Sequence, residues 1–532
     1  MAKNNADLSK LPELLEQLRS RDETELDRAH QAIMVYGQAA VETLIVALKD
    51  GNYQIRMGAA RALGEIGDED TLGPLVDTLA DPSVNVQRTG VEALAAMGVK
   101  AIPTLVEKLV DKDAKMRRRA AETLGLIADL SAVDALIAAL GDDDAEVRKQ
   151  AARALGKIKD PSSSARLIDM LDDDNVELCR FAAEALGEIG SEEAIPKLVI
   201  SLTSSSGDLR DTAVRALVKI GPPAVDGLIT QLRHDNPHGR LHAADALGRL
   251  GDPRAFDALT IALEDDDPRV RHYAAEAMGK VGEHDVQRAV KSLLPLLKEK
   301  HRDIRSVAIN ALRALGGPVA VAALSAMLDD PNAMVRLQAA QALLELEDPA
   351  AIEPLVHGLR DVEWSVRAFC AEALGKLGDP SAVIPLILAA ADEKATVKAK
   401  VIEALGKLGD PRSRHALEIA EKDPDSEVRE AARVASGRVQ TAEEPAPPAK
   451  TRSRRRTKAA APEDELDETE TETSPPLLDE DDDDDEDDDD DGLLPGEDDE
   501  EMAEWSANDD DDDEDDDDVV DPDAVDPADA DY

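Results

Sequence analysis

Three histidines, His234, His238 and His242, fall four residues apart, and His272 follows in the next stretch of the same pattern. On one continuous helix that spacing would bring three imidazoles to one face, where they could ligate zinc. Pro237 interrupts the series, however, and proline belongs to the first turn of a helix. His234 is therefore expected in the preceding turn, and the set reads as loop or solvent-facing histidines. Cys179 and Cys370 are the only cysteines. They fit neither a disulfide framework nor a Cys-type zinc site and are expected as small buried thiols. No phosphate-cradling Gly-rich loop and no Ser/His/Asp order stands out, and no cofactor is expected. What does stand out is positive charge. Lys115, Arg117, Arg118 and Arg119 form a dense cluster, and Arg88, Lys149 and Arg180 extend it. Such residues could hold an acidic ligand.

The chain that positions these groups has 532 residues, of which 42% are hydrophobic and only 2% aromatic. Small aliphatic residues with so few rings point to closely packed helices. Charge is uneven. Residues 1–440 carry −17, residues 441–458 carry +4 and residues 459–532 carry −41. The N-terminus lacks an apolar secretory core, and no run of about 18 apolar residues occurs. A soluble, cytoplasmic protein with no membrane contact is expected. The net charge of the first part also makes nucleic acid an unlikely partner.

Internal repetition organises residues 10–438. The stretch VRKQAARALGKIKDP from Val147 recurs as VRHYAAEAMGKVGEH from Val270 and VRAFCAEALGKLGDP from Val366. Anchored on Leu155, the copies fall at Leu63, Leu94, Leu124, Leu186, Leu217, Leu247, Met278, Leu312, Leu343, Leu374, Leu405 and Ser436, with Ile33 as a degenerate first copy. Each copy reads as a short helix such as 132–140 and a longer one such as 145–158, both with apolar residues at helical period. An Asp-rich turn between them can cap the second helix. Asp-Pro sequences stop it. The small residues Ala151, Ala152 and Gly156 let helices approach closely.

Two further positions repeat. Thirteen residues before the anchor, Asp occurs in ten of 13 copies, among them Asp142, Asp173, Asp265, Asp330 and Asp361. Seven before it, a basic residue occurs in 11 of 13, among them Arg117, Arg148, Arg271, Arg336 and Arg367. An Asp–Arg ladder along one edge of the stack is the structural expectation.

This pattern resembles HEAT repeats of the short, phycobilisome-lyase-like type. The resemblance implies an all-α, right-handed α-solenoid of about 14 helix pairs. Residues 1–36 form an N-terminal cap pair and 37–438 the array. An extended connection at 282–302 is either a bend or a longer helix. A Pro-rich linker with a basic island (439–462) and a disordered Asp/Glu-rich tail (463–532) follow. The repeats also resemble those of iron-dependent deoxyhypusine hydroxylases. Those carry His-Glu pairs six and five residues before the anchor, and none exists in these copies. Bilin lyases share the repeats as well, with no motif that can be placed here residue by residue.

In such stacks the second helices line the inner face, so positions six and two before the anchor and two after it should be exposed. Arg88, Arg118, Lys149 and Arg180 occupy the first of these. Glu92, Glu122, Arg153 and Glu184 lie four residues on, so this is either a self-compensated face or a basic strip. Phe181, Tyr273 and Phe369 share a position expected to pack between repeats. A more apolar floor at 337–369, near Trp364, is a second candidate contact area. In the tail, Leu477, Leu478, Leu493, Leu494, Met502 and Trp505 are spaced apolar islands that could dock on a partner. The tail could also bind basic proteins, or fold back onto the array. The resulting expectation is a non-enzymatic scaffold whose partners are other proteins; a bilin-lyase-like enzyme is the alternative.

Overall fold

The computed structural model describes residues 8–20 and 22–441. Within them are 28 α-helices and no strand, ordered as 14 consecutive pairs of a shorter first helix and a longer second one. Residues 439–441, expected as the start of the linker, instead continue the last helix, Ser426–Thr441; the rest of the linker and the tail, with the docking expectations at Leu477, Leu478, Leu493, Leu494, Met502 and Trp505, lie outside the described residues.

One pair shows how the sequence builds each unit. The first helix, Val133–Ala139, ends at a turn in which Asp142 accepts the Asp144 N–H at 2.9 Å. Asp144 in turn accepts the N–H groups of Glu146 and Val147, which have no partner within the helix they open. The second helix, Ala145–Ile158, closes on Lys159 in the left-handed region at φ 59°, where other copies use glycine, as at Gly378 with φ 74°. Asp160 then accepts the Ser162 N–H at 2.8 Å and starts the 3₁₀ turn Pro161–Ser163. Val147, Ala151, Ala152 and Leu155 are buried, and every anchor from Leu63 to Leu405 is wholly so.

Second helices pack against the second helices before and after them, whereas consecutive first helices touch much less. A stack whose one layer is more closely spaced curves toward that layer, so the second helices form the inner side. The close spacing has one local cause. Gly64, Gly125, Gly156, Gly187, Gly248, Gly279, Gly375 and Gly406 each follow an anchor. A Cβ on any of them would come within 2.5–3.2 Å of the alanine that precedes the next anchor. At four junctions the same position holds Ala95, Val218, Arg313 or Leu344, and there the second helices pack far less extensively. Gly279 still meets Ala311, so the stack runs unbroken past 282–302. The extra residues there are taken up by the helix Val286–Leu293 and a 3₁₀ turn to Lys298.

In the last pair Gly437 has open space before it. Arg433 and Ser436 stand where earlier copies have a buried aliphatic residue and the anchor, and Arg433 is exposed. A polar face thus ends the stack of described helices, as a solenoid's terminal unit requires.

The repeated Asp and Arg lie on the turn edge and join neighbouring copies. Arg336 donates Nε and Nη2 to both carboxylate oxygens of Asp361 in the following copy, each at 2.7 Å. Its Nη1 takes the backbone carbonyl of Asp330, six residues back in its own turn, at 2.9 Å. The same bidentate bridge links Arg56 to Asp81, Arg117 to Asp142, Arg240 to Asp265, Arg305 to Asp330 and Arg367 to Asp392. Lys398 makes a single bond to Asp423, Arg271 turns to Glu299 at 3.1 Å, and Arg148 stands 3.9 Å from Asp173. Gln87 and Cys179, which replace the basic residue, still donate to the carbonyls of Asp81 and Asp173. Each arginine therefore fastens its own turn and the next copy at once.

Two outcomes follow. Gly187→Val forces a side chain against the Ala216 backbone and should destabilise the array by about 2–3 kcal/mol, with faster amide exchange in Val176–Ile189 and Gly207–Ile220; Gly437→Val should be nearly neutral in the same urea and exchange measurements. The second outcome concerns pH. Burial opposes ionisation of Asp81, Asp361 and Asp392, but hydrogen bonds from Arg56, Arg336 and Arg367 and from turn N–H groups outweigh it and hold their pKa below the usual carboxylate range. A lowered folded-state pKa gives stability that is present above the unfolded value near ~3.9 and lost as pH falls through the folded one. Asp361→Asn should therefore cost about 2–3 kcal/mol at neutral pH and flatten the loss of stability below about pH 4, read by urea unfolding across pH.

Candidate functional site on the inner helices

The histidine series does not converge. His234 precedes the helix Pro237–Leu250, and its Nδ1 accepts the Asn236 N–H at 3.1 Å. His242 is buried, with its Nε2 2.9 Å from Nε of Arg210. Burial, then the neighbouring Arg210, push its pKa down to about 3, so the imidazole accepts from the guanidinium as a neutral group. Burial also lowers the pKa of His238. Among the described residues no three His, Cys, Asp or Glu side chains are placed to hold a metal ion. Cys179 and Cys370 are free and buried, and burial raises both thiols, Cys370 to about 12. No described helix by itself is long and apolar enough to cross a membrane.

The basic cluster divides. Arg117 belongs to the ladder, bound to Asp142 and Asp143. Arg119 is largely covered and bonds Glu122 at 2.7 Å and the Gln87 side chain at 3.2 Å. Neither is free for a ligand, because each guanidinium reaches across to an adjacent copy. Lys149 is bound to Glu177 at 2.7 Å, and Arg88 stands 3.7 Å from Glu92 one turn on. Arg118 and Arg180 do not pair with Glu122 and Glu184, so of the three opposite-charge pairs expected one turn apart only Arg88–Glu92 forms. Lys115 is exposed at the start of its helix, beside the turn.

The position six before the anchor is less open than its spacing suggests. Leu241, Ala368 and Ala399 are buried there and Leu337 half-buried, because this side of the second helix faces the neighbouring copy. The expected apolar floor is therefore mostly core. Trp364 is 44% exposed but opens its helix at the turn edge, three residues after the ladder residue Asp361.

Elsewhere the inner surface largely neutralises itself, although Lys407 has no bonded carboxylate. Arg61–Glu65, Arg88–Glu92, Asp245–Arg249, Glu276–Lys280 and Glu372–Lys376 are all pairs one turn apart. The pairing is incomplete on four consecutive second helices, Ala114–Ile127, Ala145–Ile158, Val176–Ile189 and Gly207–Ile220, where Arg119–Glu122 and Lys149–Glu146 form but other cations are left over. Arg118, Arg153, Lys157, Arg180 and Arg215 lie there without a carboxylate partner. Two of them meet on one ring. Phe181 is buried at 3% exposure, with the Arg180 guanidinium 4.3 Å and that of Arg153 5.0 Å from its centroid, and Lys149 Nζ at 4.9 Å. A ring face steadies a guanidinium without neutralising it. Sequence reasoning named Lys149, Arg153 and Arg180 on one strip and Phe181 as packing, but not that the buried ring gathers these cations. The signal was Lys149, Arg153 and Lys157, three cations in one column of a helix with no acid between them.

Comparison with known proteins agrees with this architecture. A family model described as HEAT repeats matches residues 11–95, 102–186, 225–313, 261–344, 290–368 and 352–437. A model described as PBS lyase HEAT-like repeat matches residues 178–204. Phycocyanobilin lyase subunit alpha of Picosynechococcus sp. is 35% identical over 79 residues, 13% of this chain and 30% of that protein. Among solved structures, Kap121p has a TM-score of 0.58 at 14% identity, covering 81% of this chain and 57% of its own. Kap121p bound to Ste12p has a TM-score of 0.59 at 14% identity, covering 81% and 56%. The chain thus spans less than a third of the lyase subunit and just over half of these solenoids, whose likeness is one of fold.

The neutral state of His242 has a measurable consequence. Its folded pKa lies far below the unfolded ~6.5, so the unfolded chain binds an extra proton between these values and stability drops as the pH is lowered through that window. Imidazole NMR should show His242 neutral from pH 8 to about pH 4, and His242→Gln should reduce the acid sensitivity of unfolding in that window.

Proposed function

Because the chain belongs to the HEAT-repeat family, we propose that it works as a non-enzymatic scaffold that binds partner proteins along its inner layer of second helices. One observation carries this reading: the inner surface is largely self-neutralised elsewhere, with Lys407 an exception, but concentrates five cations without a carboxylate partner on four consecutive helices. A surface that keeps charge uncompensated in one stretch is arranged for something that arrives from outside. The Kap121p structures with bound Ste12p and with bound Nup53p support it by analogy, since that solenoid holds protein partners. Other proteins are the partners proposed here, in the cytoplasm. The tail, at −41, offers basic proteins a separate binding mode.

The similarity to a phycocyanobilin lyase subunit favours a second reading, a bilin lyase-like enzyme. It covers one short stretch of repeats, and shared repeats do not carry a shared reaction.

Photo-crosslinkers placed in the full chain separate these readings. Inner positions Lys157 and Gln341 should capture the same specific proteins, and outer positions Glu107 and Asp169, on first helices, should capture far less. Capture from outer positions alone, or covalent transfer of a bilin to an acceptor protein by the purified chain, would overturn the scaffold reading.

A further inference from the structure

The five unpaired cations share a block of uniform construction. The helices Ala114–Ile127, Ala145–Ile158, Val176–Ile189 and Gly207–Ile220 are joined by the glycine contacts Gly125–Ala154, Gly156–Ala185 and Gly187–Ala216. The looser junctions at Ala95 and Val218 fall just outside it on either side. Within the block each copy offers at least one cation: Arg118, then Arg153 and Lys157, then Arg180, then Arg215. Unpaired acid is scarce in the same stretch. Glu122 is bound by Arg119, Glu177 by Lys149, and Glu188 by Lys159 and Lys219; Asp211 stands 4.0 Å from His242, and Glu184 is the other carboxylate at these inner positions.

Helices packed this closely lie about 8–10 Å apart. An extended peptide rises about 3.3 Å per residue, so three residues span about 10 Å. A chain laid across the second helices meets a new copy at every third residue. Resting on the scaffold reading above, we propose that this block is a binding track for an extended acidic peptide of a partner protein, with one carboxylate at every third position. Arg153 and Arg180, steadied on the Phe181 ring, form its central clamp. Planar guanidiniums suit this task, since each can meet a carboxylate with two parallel hydrogen bonds. The glycine junctions set the register, because they hold the four helices at one repeated spacing.

Fluorescence anisotropy with the full chain at about 0.15 M salt tests the proposal. The probe is a labelled peptide with aspartate at every third position; its comparator has the same composition with the aspartates contiguous. The spaced peptide should bind about tenfold more tightly than the contiguous one. Arg153→Ser with Arg180→Ser should remove about tenfold of that affinity, and Lys280→Ser with Lys376→Ser, two cations already paired with glutamates, should leave it unchanged. Phe181→Leu keeps every charge and should weaken only the spaced peptide. Arg153 is exposed, so its single replacement remains readable if the others disturb folding. Equal binding of the two peptides, or indifference to Arg153 and Arg180, overturns the track. If Lys157 and Gln341 still crosslink a partner while the peptides fail, the scaffold reading stands and this inference alone falls.

Discussion

The array rests on one steric fact repeated eight times: a glycine that lets its helix touch the alanine of the next copy. Where that glycine is present, second helices lie almost backbone to backbone, and Leu155 and its equivalents seal the space beside the contact. Where Ala95, Val218, Arg313 or Leu344 takes its place, the neighbours stand further off. A single side chain thus tunes the spacing of the inner layer. The consequences reach the surface, because the spacing of second helices sets the distance between anything they display.

The ladder does a different task on the turn edge. Hydrophobic contacts between helices tolerate sliding, since many registers bury similar area. A guanidinium fixed at its own turn by a carbonyl and bidentate to the next copy's carboxylate tolerates none. Arg336, with Asp330 behind it and Asp361 ahead, defines both the closure of one turn and the offset of the next copy. The bridges lapse between Cys179 and His234, where Ser204 and His234 replace the acid and Arg210 turns to His242 instead. There Arg210–His242 and Lys219–Glu188, rather than the ladder, tie neighbouring copies together.

Charge pairing along the inner helices is uneven. Pairs one turn apart, such as Glu276–Lys280 and Glu372–Lys376, keep a helix soluble and contribute little else. The helices from Ala114 to Ile220 depart from that economy. Their unpaired cations cost some stability through mutual repulsion, most of all where Arg153 and Arg180 share the Phe181 ring. Proteins accept such costs at sites that meet a partner.

Much of this was legible in the residues themselves. A period of 30 or 31 with small residues at fixed places dictates stacked helix pairs, because no other arrangement buries so many alanines and leucines with so few rings. The capping turns, the close-contact glycine and the existence of the ladder are local or strictly repeated, so periodicity exposes them. Which groups meet across copies was not legible. In sequence Arg117 belongs both to the repeated ladder and to the basic cluster, and Arg119 to the cluster alone, but both reach into neighbouring copies and are consumed there. Leu337 and Ala368, within the expected apolar floor, are half-buried and buried against the neighbouring copy. Phe181 looks like packing and turns out to gather two guanidiniums and an ammonium. These outcomes depend on contacts between residues 25–32 positions apart, and only the stacking geometry decides which of them a side chain can reach.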